Sequence, residues 1–392
     1  MKRAILTSLS VLIVFSGYIS WAMFRPLPQL SPIVTLHSDT TAAPTLNIKW
    51  PSYGQQAIGT ADDGVLATTG EQKAVPIASV AKVMVALAVL NKKPLALAEG
   101  GPNIPITAED VAIYWQNLAT NQSVVAVQQN EVLNEHQALQ ALLIASANNI
   151  ATTLTNWAFG SQDAYLTYAN NYAKKLGMQN TNFADASGLS PNTVSTASDL
   201  ILLGQEAVKN PVIAQIVKQN TATVPVAGQI RNYNSELGGL SGINGIKTGN
   251  TNEAGGCFLF SRNFYGTQLL GAIVGAPDLA TALNDSRAVI NSFDSSLQRH
   301  VVIKKGQIVA YYNSPQRGAI NAIAQKEVGI IDTKGSQYKI KSHITSQNFG
   351  SSKNSVVGSI DFTYRGKVYS SPVTLSQSIQ KPSTWWRFTH PF

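Results

Sequence analysis

Cysteine occurs once, at Cys257, so the chain forms no internal disulfide and any exported part relies on its apolar core. A lone thiol in "GGCFLFS" reads as a small buried hydrophobe. Charge is scarce too. Asp, Glu, Lys and Arg supply 13% of 392 residues, against 44% hydrophobic, which excludes a disordered chain and fits two or three globular domains. The net charge of +8 comes without a dense Lys/Arg run, zinc-finger spacing or an aromatic-basic RNA motif. Nucleic acid is therefore not an expected partner. A mild positive excess suits an anionic surface such as a cell envelope. No repeat or low-complexity tract occurs, and no cofactor or metal ion is expected.

Histidine is also sparse: His37, His136, His300, His343 and His390. No G-x-S-x-G elbow accompanies them, so a Ser-His-Asp triad is not the expected chemistry.

Lys2 and Arg3 precede a segment, residues 4 to 24, with no charge at all. This is a signal peptide or an N-terminal membrane anchor: "SWA" at 20 to 22 resembles a cleavage site, yet the length is about the ~20 residues that span a bilayer. The flanking basic residues place the remainder on the extracytoplasmic side. Residues 25–45, rich in Pro, Thr and Ser, read as a linker.

From 46 the pattern is globular. "GQQAIGTADDGVLATTG" has hairpin punctuation, residues 107 to 176 are largely helical, and "STASDLILLGQEAVKNP" reads as a capped helix ending before Pro211. "INGIKTG" and "CFLFSRNFYGTQLLGAIVGA" read as antiparallel strands with a tight turn at Tyr265-Gly266, and "ATALNDSRAVINSFDSSLQ" as a closing helix. The expected fold of 46–299 is thus α/β, an antiparallel sheet flanked by helices with a helical lobe inserted. Alternating segments beyond it give a small C-terminal β-rich domain over 300–392.

"PIASVAKVMVALAVL", residues 76 to 90, is the unusual stretch. From Ile77 to Leu90 the only polar side chains are Ser79 and Lys82. A helix apolar on every face belongs in an interior, and a buried ammonium is paired or has a depressed pKa. Snorkelling is the ordinary reading of such a lysine. Ser79, however, lies one turn away on the same face, and a hydroxyl beside an amine held neutral is an activated nucleophile. The spacing alone is weak, since Ser336/Lys339 and Ser378/Lys381 repeat it in polar surroundings.

Two further motifs follow in order: "SAN" at Ser146 to Asn148 and "KTG" at Lys247, Thr248 and Gly249. S-x-N recurs as "SPN", "SQN" and "SKN", whereas K-T-G occurs once. The ordered set is the signature of penicillin-binding proteins and serine β-lactamases. The chain resembles, over about residues 49 to 275, the D-alanyl-D-alanine carboxypeptidases, the low-molecular-mass penicillin-binding proteins, through "WPSYGQQAIG", "VPIASVAKVM", "LLIASANNIA", "LGMQNTNFADASGLS", "STASDL" and "GIKTGNTNEAGG". The ending "PSTWWRFTHP" is similar to a tail in some members, and Asn250 stands where the family often has His.

The resemblance implies a β-lactamase/transpeptidase-like fold and hydrolysis of the terminal D-alanine of peptidoglycan stem peptides, with β-lactams as covalent inhibitors. It implies Ser79 as nucleophile, Lys82 as its base, Ser146 as proton relay, and Asn148 holding Lys82 or the substrate amide. Lys247 and Thr248 would bind the terminal carboxylate, Gly249 would allow close backbone approach, and the N–H groups of Ser79 and Asn250 would form an oxyanion hole. Asp185 and Asp199 match the family pattern, but turn and capping roles explain both. The rivals are a serine β-lactamase, for which Glu206 and Asn210 offer an E-x-x-x-N spacing, a D,D-endopeptidase, and a non-catalytic penicillin-binding sensor.

Overall fold

The computed structural model describes residues 2–36, 42–335 and 337–390, with side chains from Ser8 onward. Met1, residues 37–41 with His37, Ser336 and residues 391–392 lie outside the described residues. The chain divides into two units, Thr45–Leu297 and Met1–Pro44 with Gln298–Phe392.

The first unit is built on a five-stranded antiparallel sheet in the order Ile243–Thr251, Gly255–Phe264, Thr267–Ala276, Gln55–Thr60, Gly64–Thr69. The turn expected at Tyr265-Gly266 is present, with φ of 42° and 88°, the left-handed pair that matches the twist of a two-residue hairpin. Side chains alternate between the faces of Gly255–Phe264. Phe264 meets Phe293 of helix Leu279–Ser296 on one face, with ring centroids 5.5 Å apart. Gly204 of helix Ala197–Lys209 approaches Leu259, Leu270 and Ile246 on the other. Covered on both sides, the strands read as nearly continuous apolar runs.

The inserted lobe contains helices Lys82–Lys92, Ala108–Ala119, Glu135–Leu143, Asn148–Phe159 and Gln162–Lys175. The first is its axis. Helices Glu135–Leu143, Asn148–Phe159, Gln162–Lys175 and Ala197–Lys209 pack around it, and every residue from Lys82 to Leu90 is buried, which explains a sequence apolar on all faces. Capping follows local chemistry. The box at Thr107 closes on Asp110 because N3 is where a side chain can reach back to the N-cap amide. Pro211 begins helix Pro211–Ile216, capped by Asn210, instead of merely ending its predecessor.

In the second unit a six-stranded sheet runs Pro32–Val34, Ile308–Ser314, Gly318–Ala324, Lys367–Leu375, Val356–Tyr364, Lys339–Ile344. Its core includes Val309, Tyr312, Ile320, Ile360, Phe362 and Val373. Residues 25–45, read as a linker, thus supply an edge strand in which Ile33 pairs with Tyr311. Proline is tolerated at the first residue of an edge strand, and three residues are too few to show a period. No helix among the described residues is long and apolar enough to cross a membrane.

Candidate active site

Ser79 lies in a 3-10 turn, Ala78–Ala81, that leads directly into helix Lys82–Lys92. Ala78 enters this turn with φ 46°, a conformation that costs a residue with a Cβ and persists only when its surroundings enforce it. Two glycines crowd it. A Cβ on Gly188, itself at φ 79°, would stand 1.8 Å from Ala78 O, and one on Gly249 would stand 3.0 Å from Ala78 Cβ. The same hypothetical atom on Gly249 would lie 2.9 Å from the Ser79 backbone nitrogen.

Lys82 is wholly buried. Its Nζ donates to Ser79 Oγ at 2.7 Å and to the backbone carbonyl of Ser187 at 2.8 Å. Burial holds its pKa well below the ordinary lysine value, the positive charge of Lys247 lowers it further, and Asp185 opposes the shift. A neutral amine at this distance can receive the serine proton.

Ser146 occupies the turn between helices Glu135–Leu143 and Asn148–Phe159, with φ 59° and 4% exposure. The turn is pinned by Asn148 N donating to Ser123 O at 2.8 Å and by Asn149, whose amide both accepts from and donates to the Val125 backbone. Asn148 Nδ2 donates to Gln122 Oε1 at 2.7 Å, while its buried Oδ1 has no hydrogen-bond partner. The sequence offered Asn148 as a holder of Lys82 or of the substrate amide. The amine instead contacts Ser79 and Ser187, so the carbonyl oxygen of Asn148 is left available for the second task.

Lys247 and Thr248 are 2% and 4% exposed on the edge strand Ile243–Thr251, and Lys247 Nζ donates to Thr248 O at 2.9 Å. Burial lowers the Lys247 pKa to about 7. Asn250, next along, is exposed. Cys257 pairs in register with Gly249. Burial pushes its thiol up to about 12, so it stays protonated and inert.

Sequence reasoning missed the role of Ser187. Its carbonyl is aimed at Lys82 by Asp185, whose carboxylate accepts from Ser187 N, Ser187 Oγ, Leu189 N and Thr193 Oγ1. Thr193 O in turn accepts from Ile77 N at 3.3 Å, tying this loop to the start of the serine turn. The signal was present in "DASGLS", where an Asp ahead of Ser and Gly is suited to bond backbone two residues on.

Candidates for other chemistries lie elsewhere. Glu206 pairs with Lys209 at 2.8 Å and Asn210 caps a helix. His343 faces Asp361, and His390 stacks on Trp386. Among the described residues no group of three or more His, Cys, Asp or Glu is placed to hold a metal ion.

The model of the Peptidase_S11 family, described as D-alanyl-D-alanine carboxypeptidase, matches residues 55–278. The D-alanyl-D-alanine carboxypeptidase DacA of Escherichia coli is 25% identical over 254 residues, 62% of this chain and 62% of that protein, so less than two thirds of the relative's length is spanned. Among solved structures, D-alanyl-D-alanine carboxypeptidase DacD from Francisella tularensis superposes over 88% of this chain and 98% of its own, with TM-score 0.58 and 17% identity, a likeness of fold. Penicillin-binding protein D2 from Listeria monocytogenes, solved in a cefotaxime-bound form, covers 63% of this chain and 98% of its own at 27% identity and TM-score 0.53.

Proposed function

Because the chain belongs to the D-alanyl-D-alanine carboxypeptidase family, we propose that it hydrolyses the terminal peptide bond of peptidoglycan stem peptides ending in D-Ala–D-Ala, through an acyl-enzyme on Ser79. The observation that carries this reading is the 2.7 Å contact between Ser79 Oγ and a fully buried Lys82.

The chemistry proceeds in two halves. Ser79 Oγ attacks the penultimate D-Ala carbonyl as its proton passes to the neutral Lys82 amine. The carbonyl oxygen gains negative charge, which the N–H groups of Ser79 and Asn250 stabilise; removing one such donor typically costs about 3 kcal/mol of barrier. As the C–N bond breaks, the Lys82 proton reaches the leaving amine through the Ser146 hydroxyl. Free D-alanine departs and an ester remains on Ser79. Water then attacks the ester with Lys82 as base, the C–O bond breaks, and Ser79 regains its proton.

Recognition falls to the K-T-G strand. Lys247 and Thr248 hold the substrate's terminal carboxylate by charge-assisted hydrogen bonds, Gly249 lets the backbone approach closely, and Asn148 Oδ1 accepts from the substrate amide. β-Lactams acylate the same serine, a reading supported by the cefotaxime-bound relative. The enzyme works on the extracytoplasmic side, exported through its uncharged N-terminal segment, a signal peptide or membrane anchor. Against the β-lactamase reading, the one glutamate with suitable spacing, Glu206, is engaged with Lys209.

Two experiments test this. Incubation with a pentapeptide ending in D-Ala–D-Ala should release one D-alanine by mass; cleavage only of cross-linked, internal bonds would favour the endopeptidase instead. Fluorescent penicillin should label the wild type and not a folded Ser79→Ala variant, and equal labelling of both would remove Ser79 as nucleophile.

A further inference from the structure

The residues assigned so far hold the scissile bond and the leaving D-alanine. The rest of the stem peptide, on the acyl side of that bond, also needs a place. A groove of about 440 Å³ lies within the catalytic unit, with walls that include Tyr114, Val125, Ala145, Ile230, Arg231 and Tyr233. One wall is continuous with the catalytic turn. Ala145 directly precedes Ser146, and the Val125 backbone is bonded through its N–H and its carbonyl to the Asn149 side chain. A peptide held at Asn148 therefore has this groove beside it.

The opposite wall is a short hairpin, Thr221–Val224 paired with Gly228–Arg231. Ile230 is buried and Arg231 is exposed, as alternation along a strand requires. The backbone just beyond is fixed on three sides. Asn232 N donates to Asn220 O at 2.9 Å, Asn232 Nδ2 donates to Gln219 O at 3.0 Å, and Asn232 Oδ1 accepts from Asn234 N at 2.9 Å. None of these bonds uses the Arg231 guanidinium.

The catalytic unit has three arginines. Arg262 is paired with Asp294, and Arg287 holds Glu236 through two bonds of 2.6 Å. Arg231 has no carboxylate partner among the described residues, and no acidic residue lines the groove. A planar guanidinium offers two parallel N–H bonds, the geometry that a carboxylate accepts. Tyr114, braced edge-on by Trp115 at 5.0 Å, and Tyr233 add ring surface to cover an aliphatic stem.

We propose that this groove is the subsite for the acyl portion of the stem peptide, and that Arg231 is a specificity-determining residue that pairs with a carboxylate carried there. The proposal rests on the carboxypeptidase reading. Stem peptides offer that carboxylate from two sources: the side chain of the third residue, when it is a diamino dicarboxylic acid, or the free α-carboxylate of a γ-linked glutamate. Arg231 takes no part in proton transfer. It also disfavours a lysine side chain in the groove, which would bring a second positive charge beside it.

The test measures D-alanine release by the full chain from three pentapeptides. The first is L-Ala–γ-D-Glu–diaminopimelyl–D-Ala–D-Ala with both acyl-side carboxylates free. The second has the diaminopimelyl side-chain carboxylate converted to its amide, and the third has the glutamate α-carboxylate so converted. One of the two amides should lower kcat/KM about threefold to fivefold, the size expected of an ion pair open to water, and which one identifies the source. The loss should appear mainly in KM, because a contact remote from the scissile bond is made equally in the ground and transition states. It should shrink between 50 and 500 mM NaCl. Arg231→Gln should bring the acid-to-amide ratio close to one, and Arg231→Lys should restore part of it. Fluorescent penicillin counts the competent active sites in each sample, so a poorly folded variant does not distort the ratio. Equal turnover of all three peptides by the wild type, or a preference that survives Arg231→Gln, would overturn the subsite while leaving the carboxypeptidase intact. A wild type that labels with penicillin but releases D-alanine from none of the peptides removes the carboxypeptidase reading, and the subsite falls with it.

Discussion

Gly249 runs so close to Ser79 that a Cβ on the glycine would lie 2.9 Å from the serine's backbone nitrogen and 3.0 Å from Ile77 O. The contact sets the distance between the K-T-G strand and the nucleophile turn, the two elements that supply the proposed oxyanion donors. Both neighbours are backbone atoms, so neither can rotate out of the way. Gly249→Ala should therefore slow acylation by fluorescent penicillin about 100-fold or more, the effect of misplacing one oxyanion donor. Measuring acylation together with thermal unfolding separates this from loss of fold. Acylation within about threefold of wild type would show that the strand's approach does not control the hole.

Two buried lysines with opposite required states predict a bell-shaped dependence of kcat/KM on pH. Lys82 must be neutral to accept a proton; its pKa is depressed by burial and by Lys247, so activity falls as pH drops through that lowered value. Lys247 must be charged to hold a carboxylate, and in the free enzyme it titrates at about 7, so activity on a free-acid peptide falls as pH rises through that value. Lys82→Met abolishes acylation in this scheme. A flat profile from pH 5 to 9 would contradict both assignments.

Stability should follow the same lysines with a definite sign. The unfolded chain holds the Lys247 proton up to about 10.4, the folded one only to about 7. Between these values the unfolded state binds more protons, so stability rises with pH across the window. Replacing Lys247 by Met should flatten that part of the curve in urea titrations from pH 7 to 10. An unaltered slope would mean that Lys247 is not titrating there.

Removing charge from the substrate tests the anchor directly. An amidated D-Ala–D-Ala terminus keeps the scissile bond, and its kcat/KM should fall roughly 10- to 150-fold, equivalent to about 1.5–3 kcal/mol for one charge-assisted hydrogen bond. Lys247→Gln should be slow on both peptides and discriminate little between them, so general damage to the site cancels in the ratio. If wild type cleaves acid and amide equally well, Lys247 is not the carboxylate anchor.

Asp185→Asn should act through Ser187. The carboxylate holds the loop by four hydrogen bonds and raises the Lys82 pKa against the larger effects of burial and Lys247. The asparagine should destabilise the protein by about 1–3 kcal/mol and move the acidic limb of the activity profile to lower pH. A limb that stays in place while stability drops would show that Asp185 shapes the loop without touching the electrostatics of Lys82.

Local patterns determined a good deal by themselves. The all-round apolar run from Ile77 to Leu90, the alternating strands about Tyr265-Gly266 and the capping residues Ser161 and Thr196 rest on periodicity and short-range hydrogen bonds, which the chain encodes within a few residues. Ser79 and Lys82 were visible for the same reason, being one helical turn apart. The three-motif set was legible in order and spacing, but its assembly was not. That Gly249 and Gly188 press on Ala78 from distant segments, that Asp185 aims the Ser187 carbonyl at Lys82, and that Pro32–Val34 completes a sheet nearly 280 residues away are contacts between remote parts of the chain. Backbone carbonyls and amides carry no side-chain identity, so their partners are decided only when packing brings the segments together. Burial likewise moved Lys247 from an ordinary lysine to one titrating at about 7: a low-dielectric surrounding is a property of the folded interior, and no single position in the sequence contains it.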